Sequence, residues 1–100
     1  MKTYTGARTF DGVVVLVDGL PLAPRGDLRT YSLKGYEWGY EGLDPSQLAL
    51  AILADAAGDE AALAFAPAFM TEIVANFDNE WEITEEQVVD ALQALRTLES

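Results

Sequence analysis

Carboxylates are the side chains of this 100-residue chain whose number and spacing could support chemistry. Six of them fall within thirteen residues that contain no basic side chain: Asp78, Glu80, Glu82, Glu85, Glu86 and Asp90. Such a run could hold a cation, could act in acid–base catalysis, or could imitate nucleic-acid phosphates towards a basic protein. It could equally be a solvated helix start, where the helix dipole favours acids.

The residue types that are absent exclude several kinds of catalytic and metal-binding chemistry. The chain has no cysteine and no histidine, so thiolate chemistry, the commonest zinc ligands and the usual partner of a serine nucleophile are all excluded. The acidic run also lacks the glycine and the regular ligand alternation of an EF-hand loop. Seventeen acids make chance pairs unavoidable, and no spacing singles out an acid and a base. We therefore expect a protein that is not an enzyme and uses no metal or cofactor.

Charge is distributed unevenly along the chain. Residues 1–34 have a balance of +2, whereas residues 35–100 have a balance of −13, with Arg96 as their single basic side chain. Because phosphates would be repelled, direct binding to nucleic acid or to an anionic membrane is disfavoured, and a basic protein is the expected partner. The sequence also shows no secretory leader and no apolar run of about 20 residues, which predicts a cytoplasmic protein.

Residues 36–58 form the central stretch of the chain, and we expect the other elements of the fold to pack around it. Alternation of aromatic with small or acidic residues over 36–40 predicts a strand of the sheet with one aromatic face. Asp44 is a suitable N-cap with Gln47 placed to reach back to it, and a nearly all-apolar core helix is predicted from Pro45 to about Ala57. Gly58 would end that helix.

The first half outside this stretch indicates a sheet. A short strand is expected over residues 2–5 with Gly6 as a bend, and residues 13–17 predict a central strand. The dipeptide at 18–19 predicts a tight hairpin, and Pro21 confines the return strand to an edge. A surface loop over 23–34 would carry three of the six basic residues.

The second half indicates helices. One is predicted from Glu60 towards Phe77 with a break near Ala66, after which Pro67 would begin a new segment, because proline removes a helical hydrogen bond. Residues 81–83 could extend the sheet, and residues 84–87 form a capping box that opens a last helix. The expected fold is therefore α+β, a single domain over residues 1–100 with a small, mainly antiparallel sheet of three to four strands packed against three helices.

A resemblance accompanies these patterns. The run Glu37-Trp38-Gly39-Tyr40-Glu41-Gly42, then Pro45 and the apolar helix from Gln47 to Leu53, resembles the signature of a small uncharacterised domain family found in phage and bacterial genomes. The likeness extends more weakly from Tyr4 to Thr84. It implies a phage or mobile-element setting, and it implies no catalytic residues.

Two smaller groups of residues leave alternatives open. The aromatic side chains of residues 36–40 could form a stacking platform, or they could pack against the core helix, which we favour. Arg25, Arg29 and Lys34 could grip an anion, or they could neutralise acids of their own fold, which we also favour.

Together these observations favour a small acidic binding protein that inhibits a nucleic-acid-binding host defence complex by charge mimicry, as anti-CRISPR proteins do. The residues expected to contact the partner are Glu80, Glu82, Glu85, Glu86 and Asp90, with Glu37 and Glu41 as a second group. The alternative is a homo-oligomeric structural or regulatory module, such as a homodimer, in which apolar and aromatic surface makes the contact.

Overall fold

A computed structural model describes residues 1–99 as a four-stranded antiparallel sheet with three α-helices and one 3₁₀ turn. The elements in chain order are β1 (Thr3–Thr9), β2 (Gly12–Val17), β3 (Leu20–Pro21), α1 (Leu43–Ala57), α2 (Asp59–Glu72), the 3₁₀ turn (Val74–Asn76), β4 (Glu80–Thr84) and α3 (Glu85–Glu99). The predicted α+β fold is confirmed.

The strands lie in the order β3-β2-β1-β4, so that β3 and β4 form the two edges of the sheet. Hairpins join β1 to β2 and β2 to β3, and the predicted turn at Asp18 and Gly19 has the positive φ angles of a type I′ turn, 50° and 83°. β4 arrives from far along the chain and pairs antiparallel with β1. The predicted inner position of β2 and the edge position of Pro21 are confirmed.

Gly6 does not bend the first strand, and that prediction was wrong. It lies in the middle of β1, opposite Trp81 of β4. A Cβ atom at Gly6 would lie 2.3 Å from the indole Cε2 atom of Trp81. The indole of Trp81 lies directly against the strand and leaves no space for a side chain at position 6.

The sheet has two unlike faces. Its inner face shares one hydrophobic core with the three helices, through Tyr4, Val15, Trp81 and Ile83. The outer face alternates with these positions and takes no part in that core; it carries Thr5, Ala7, Val14, Leu16, Glu80 and Glu82.

The aromatic stretch at residues 36–40 is not a strand, which corrects the prediction. Glycines interrupt the extended backbone, since Gly35 and Gly39 have φ angles of 117° and 85°. The Gly39 N–H donates to the carbonyl of Val74 at 3.1 Å, so this stretch is anchored to the 3₁₀ turn and not to the sheet. Trp38 is nevertheless fully buried.

The core helix α1 is confirmed, because every residue from Pro45 to Ala54 is buried. Its start differs from the prediction: the helix begins at Leu43, and the N-cap is Gly42, which has no side chain to donate or accept, so Asp44 is not the cap. Its end is as predicted, with the Gly58 N–H donating to the carbonyl of Ala54 at 3.1 Å.

Helix α2 continues through Pro67, so the predicted break was wrong. Proline leaves the carbonyl four residues earlier, that of Leu63, without its helical donor. Both residues lie on the exposed side of the helix, where water can satisfy that carbonyl. The helix instead ends at Glu72, just before the 3₁₀ turn.

The capping box at the start of α3 is confirmed. The Thr84 N–H donates to Gln87 Oε1 at 2.9 Å, and the Gln87 N–H donates to Thr84 Oγ1 at 3.1 Å. This reciprocal pair lets β4 pass directly into α3 without a linker, which places the acids of the two elements next to one another along the chain.

Candidate functional site

Glu37 is held in an internal ion pair. Arg8 Nη2 donates to Glu37 Oε1 at 2.9 Å and to the Trp38 carbonyl at 2.8 Å, while its Nη1 donates to Asn79 Oδ1 at 2.7 Å. The guanidinium also lies 4.8 Å from the centroid of the Trp38 ring, within cation–π range. Arg8 thus joins the end of β1 to two distant segments, and the charge of Glu37 is compensated within the fold.

Two further predicted acids have partners of their own. Glu41 is exposed and accepts a long hydrogen bond of 3.4 Å from the hydroxyl of Thr71. Glu85 accepts from the backbone N–H of Lys2 at 3.1 Å, and its own N–H donates to the Lys2 carbonyl at 2.9 Å. Glu85 therefore continues the β1–β4 pairing into the first turn of α3.

The remaining predicted acids form a distinct group. Glu80, Glu82, Glu86 and Asp90 are all exposed, as is Asp78 just before them, and none forms an ion pair within residues 1–99. We call these five residues the acidic strip. Glu80 and Glu82 share the outer face of β4, and Glu86 and Asp90 lie one helical turn apart on α3.

The acidic strip is spread out rather than convergent. In the part of the chain that the structure describes, no three acidic side chains come together as metal ligands would. Neighbours in the strip are about 6.6 Å apart along a strand, at 3.3 Å per residue, and their Cβ atoms are about 5–6 Å apart along a helix. This geometry suits an extended surface of positive charge better than a single cation.

Several basic side chains are occupied elsewhere in the fold. Lys2 Nζ lies 3.2 Å from Asp55, and Arg25 contacts Asp27 at 3.0 Å and Asp59 at 3.3 Å. The hydrogen bond from Arg25 lowers the pKa of the Asp27 carboxyl. For Arg25 the structure therefore supports neutralisation of nearby acids, the interpretation that the sequence favours for the basic loop.

Gln47 has a different role from the predicted one. Its Oε1 accepts from the N–H groups of Tyr31 and Ser32 at 2.6 and 3.1 Å, and its Nε2 donates to the carbonyls of Pro24 and Arg29 at 2.7 and 3.1 Å. This buried amide fastens the loop over residues 23–34 to the core helix. A polar residue in a helix stretch that is otherwise almost entirely apolar is the sequence feature that could have indicated it.

Most of the aromatic side chains face inwards. Trp38 and Trp81 meet edge to face with centroids 5.7 Å apart, and Phe77 stacks on Trp81 at 4.4 Å. Tyr36 donates its hydroxyl to a backbone carbonyl at 2.8 Å, and burial raises its pKa. Tyr40 alone of the predicted platform is about half exposed. These contacts favour packing over a stacking platform for bases.

The fold and the acidic strip define a small acidic α+β domain. The chain belongs to a family of unknown function (DUF6166), which it matches over residues 4–94, a range that contains the whole acidic strip. No curated protein and no solved structure matches the chain. Over residues 1–99, none of the helices is long and apolar enough to cross a bilayer.

Proposed function

We propose that this protein is a non-enzymatic inhibitor that binds a basic, nucleic-acid-binding protein through its acidic strip. The observation that carries the proposal is the division of the acids, because Glu37 and Glu85 are engaged internally whereas Glu80, Glu82, Glu86 and Asp90 are exposed and unpaired. Unpaired carboxylates can meet a partner's lysines and arginines without first breaking an internal ion pair.

The expected partner is a component of a host defence complex, and the expected action resembles that of anti-CRISPR proteins, which occupy a groove meant for nucleic acid. The resemblance of the sequence to a phage and bacterial family supports this setting. The charge balance supports it too, since an acidic protein is drawn to the same arginine and lysine side chains that attract phosphates.

The test is capture of partners from a bacterial extract by the purified protein at low and high salt, with identification by mass spectrometry. Surface charges are screened over about 8 Å at physiological ionic strength, so the complex should weaken as salt rises. The captured protein should also release its nucleic acid when this protein is added. Persistence of nucleic-acid binding in the saturated complex would contradict inhibition by mimicry.

Two triple variants of equal net charge test whether the acidic strip contacts the partner. Reversal of three strip residues, Glu80→Lys, Glu82→Lys and Glu86→Lys, should abolish capture. The control reverses Asp11, Glu60 and Glu72, which are also exposed and form no ion pair within the described chain, and it should retain capture at the same net charge. Equal loss in both triple variants would show that only total charge matters. Glu37→Gln and Glu41→Gln test the second predicted group.

A homo-oligomeric module is the second candidate, and one observation favours it. Phe10 is fully exposed at the tip of the β1–β2 hairpin, and Leu20 and Leu33 are also largely exposed. Burial of these side chains against a second copy would stabilise assembly through the apolar area removed from water. Light scattering over a range of concentrations tests it: a mass that rises with concentration, is indifferent to salt and falls with Phe10→Ser would support assembly.

A further inference from the structure

The outer face of the sheet is left open by the helices, which all share the core on its inner side. Pairing places residues of three strands side by side in rows across this face. One row runs from Leu16 through Thr5 to Glu82, and the next runs from Val14 through Ala7 to Glu80. The β2 side of the face is therefore apolar and the β4 side is acidic.

A shallow, open depression of about 500 Å³ lies where β1 and β4 meet. Its lining consists of Thr5, Gly6, Ala7, Glu80, Trp81 and Glu82. The two unpaired carboxylates thus border an open hollow between the strands. On the β2 side, Val14 is 41% exposed, on a face where an antiparallel sheet open to water usually carries polar side chains.

We propose that this outer face docks a basic amphipathic helix of the partner protein. Lysine or arginine side chains of that helix lie in the hollow bordered by Glu80 and Glu82, and its apolar side chains cover Val14 and Leu16. The inference rests on the proposed function and adds to it the shape and chemistry of the partner's contact surface.

The charge of the outer face favours binding of a basic partner helix over binding of a second copy of the chain. The outer-face positions of all four described strands contain no basic side chain, so a copy docked on this face would bring no positive charge of its own from the same surface. It would either oppose like charges or bury carboxylates against apolar side chains, and both arrangements are unfavourable. A basic partner avoids both.

The dimensions suit a helix. Adjacent strands are about 4.8 Å apart, so β2 and β4 are separated by roughly 10 Å across the face. An α-helix with its side chains is about 10–12 Å wide. One helix lying along the strands can therefore place an apolar stripe on Val14 and Leu16 and a neighbouring basic stripe on Glu80 and Glu82.

The test uses a synthetic leucine–lysine peptide of about 18 residues with helical periodicity, long enough to form a helix. Titration of the isotope-labelled protein, followed by amide NMR, should shift resonances of Ala7, Leu16 and Glu82 together. Glu80→Lys with Glu82→Lys should weaken binding about tenfold, the sum of lost attractions and new repulsions at an exposed site. The charge-matched control, Glu60→Lys with Glu72→Lys, should change it less than about twofold, because exposed charges remote from the contact are largely screened.

A second pair of variants tests the apolar side. Val14→Thr keeps the branched shape but removes apolar contact, so it should weaken binding of the peptide several-fold. Leu63→Gln alters a residue of α2 with the same 41% exposure and should leave binding unchanged. Circular dichroism and thermal unfolding confirm that each variant is folded.

The outcomes separate the two proposals. Shifts confined to the amides of Glu86 and Asp90, with no effect of Val14→Thr, would overturn docking on the sheet face while leaving the acidic strip as the contact. Failure of wild-type protein to bind the peptide, or self-association through this face, would also overturn it. If the peptide binds the face but strip reversal does not affect partner capture, the proposed function is wrong and the docking surface stands.

Discussion

The indole of Trp81 occupies the space that a side chain at Gly6 would need. The two residues are cross-strand partners on β4 and β1, and an added Cβ would meet the ring at 2.3 Å. Trp81 cannot easily move aside, because Phe77 stacks on it and Trp38 meets it edge to face. One glycine thus allows β4 to close over the core with its largest side chain.

Replacement of Gly6 should therefore destabilise the fold. Gly6→Ala is expected to lower the free energy of unfolding by about 3 kcal/mol, the upper range for overpacking a core. Tryptophan fluorescence during urea unfolding measures it. The control is Gly26→Ala, where the nearest atom is a threonine hydroxyl at 3.3 Å and little change is expected. A Gly6→Ala protein as stable as wild type would show that the ring does not lie against the strand.

The amide of Gln47 should control the order of the loop over residues 23–34. Gln47→Leu keeps a similar volume but removes four hydrogen bonds, each with a net value of about 0.5–1 kcal/mol once the exchange with water is included. We expect a loss of about 2–3 kcal/mol and faster amide exchange at Tyr31 and Ser32, whose N–H groups now donate to Gln47 Oε1. Exchange at wild-type rates in this variant would mean that the loop is fastened elsewhere.

Stability should fall at alkaline pH because of Tyr4. Burial, and then its hydrogen bond to Asp55 at 2.7 Å, raises the pKa of the Tyr4 hydroxyl in the folded state. The unfolded chain ionises first, so this contribution is complete below about pH 10 and is lost as the pH rises further. Tyr36 acts in the same direction, since burial raises its pKa.

Tyrosinate absorbance recorded beside circular dichroism tests this coupling. Two of the four tyrosines should ionise only as the protein unfolds. Tyr4→Phe should make the alkaline loss of stability less steep, at the expense of one hydrogen bond at neutral pH. Ionisation of all four tyrosines near pH 10 in the folded protein would contradict the burial of Tyr4 and Tyr36.

Features that depend on local chemistry could be predicted from the sequence. The type I′ turn at Asp18 and Gly19, the end of α1 at Gly58 and the capping box at Thr84 each need only a few neighbouring residues, and each is present. The aromatic stretch at residues 36–40 could not be assigned in this way, because its alternation is shared by strands and by extended loops. A hydrogen bond to Val74, which is remote in sequence, anchors this stretch outside the sheet.

In the candidate site too, features set by local chemistry could be predicted, whereas contacts between residues remote in sequence could not. Exposure of Glu80, Glu82 and Asp90 follows from their charge and could be anticipated. The pairing of Glu37 with Arg8 could not, because nothing in the sequence places residues 29 positions apart in contact. The open outer face could not be predicted either: the unbroken apolar run of β2 indicates a central strand, which is correct, but it does not say that the helices cover only one face of the sheet.

The pairing of β1 with β4 has a consequence for the newly made chain. β1 is synthesised before its partner strand β4, because residues 80–84 follow all of α1 and α2 along the chain. Until then the β1–β2 hairpin keeps a free edge, and the space beside Gly6 is empty. Such a high contact order slows folding, because a long loop must close before the pairing is gained. The nascent chain therefore exposes this strand edge until β4 is made, and exposed strand edges favour aggregation.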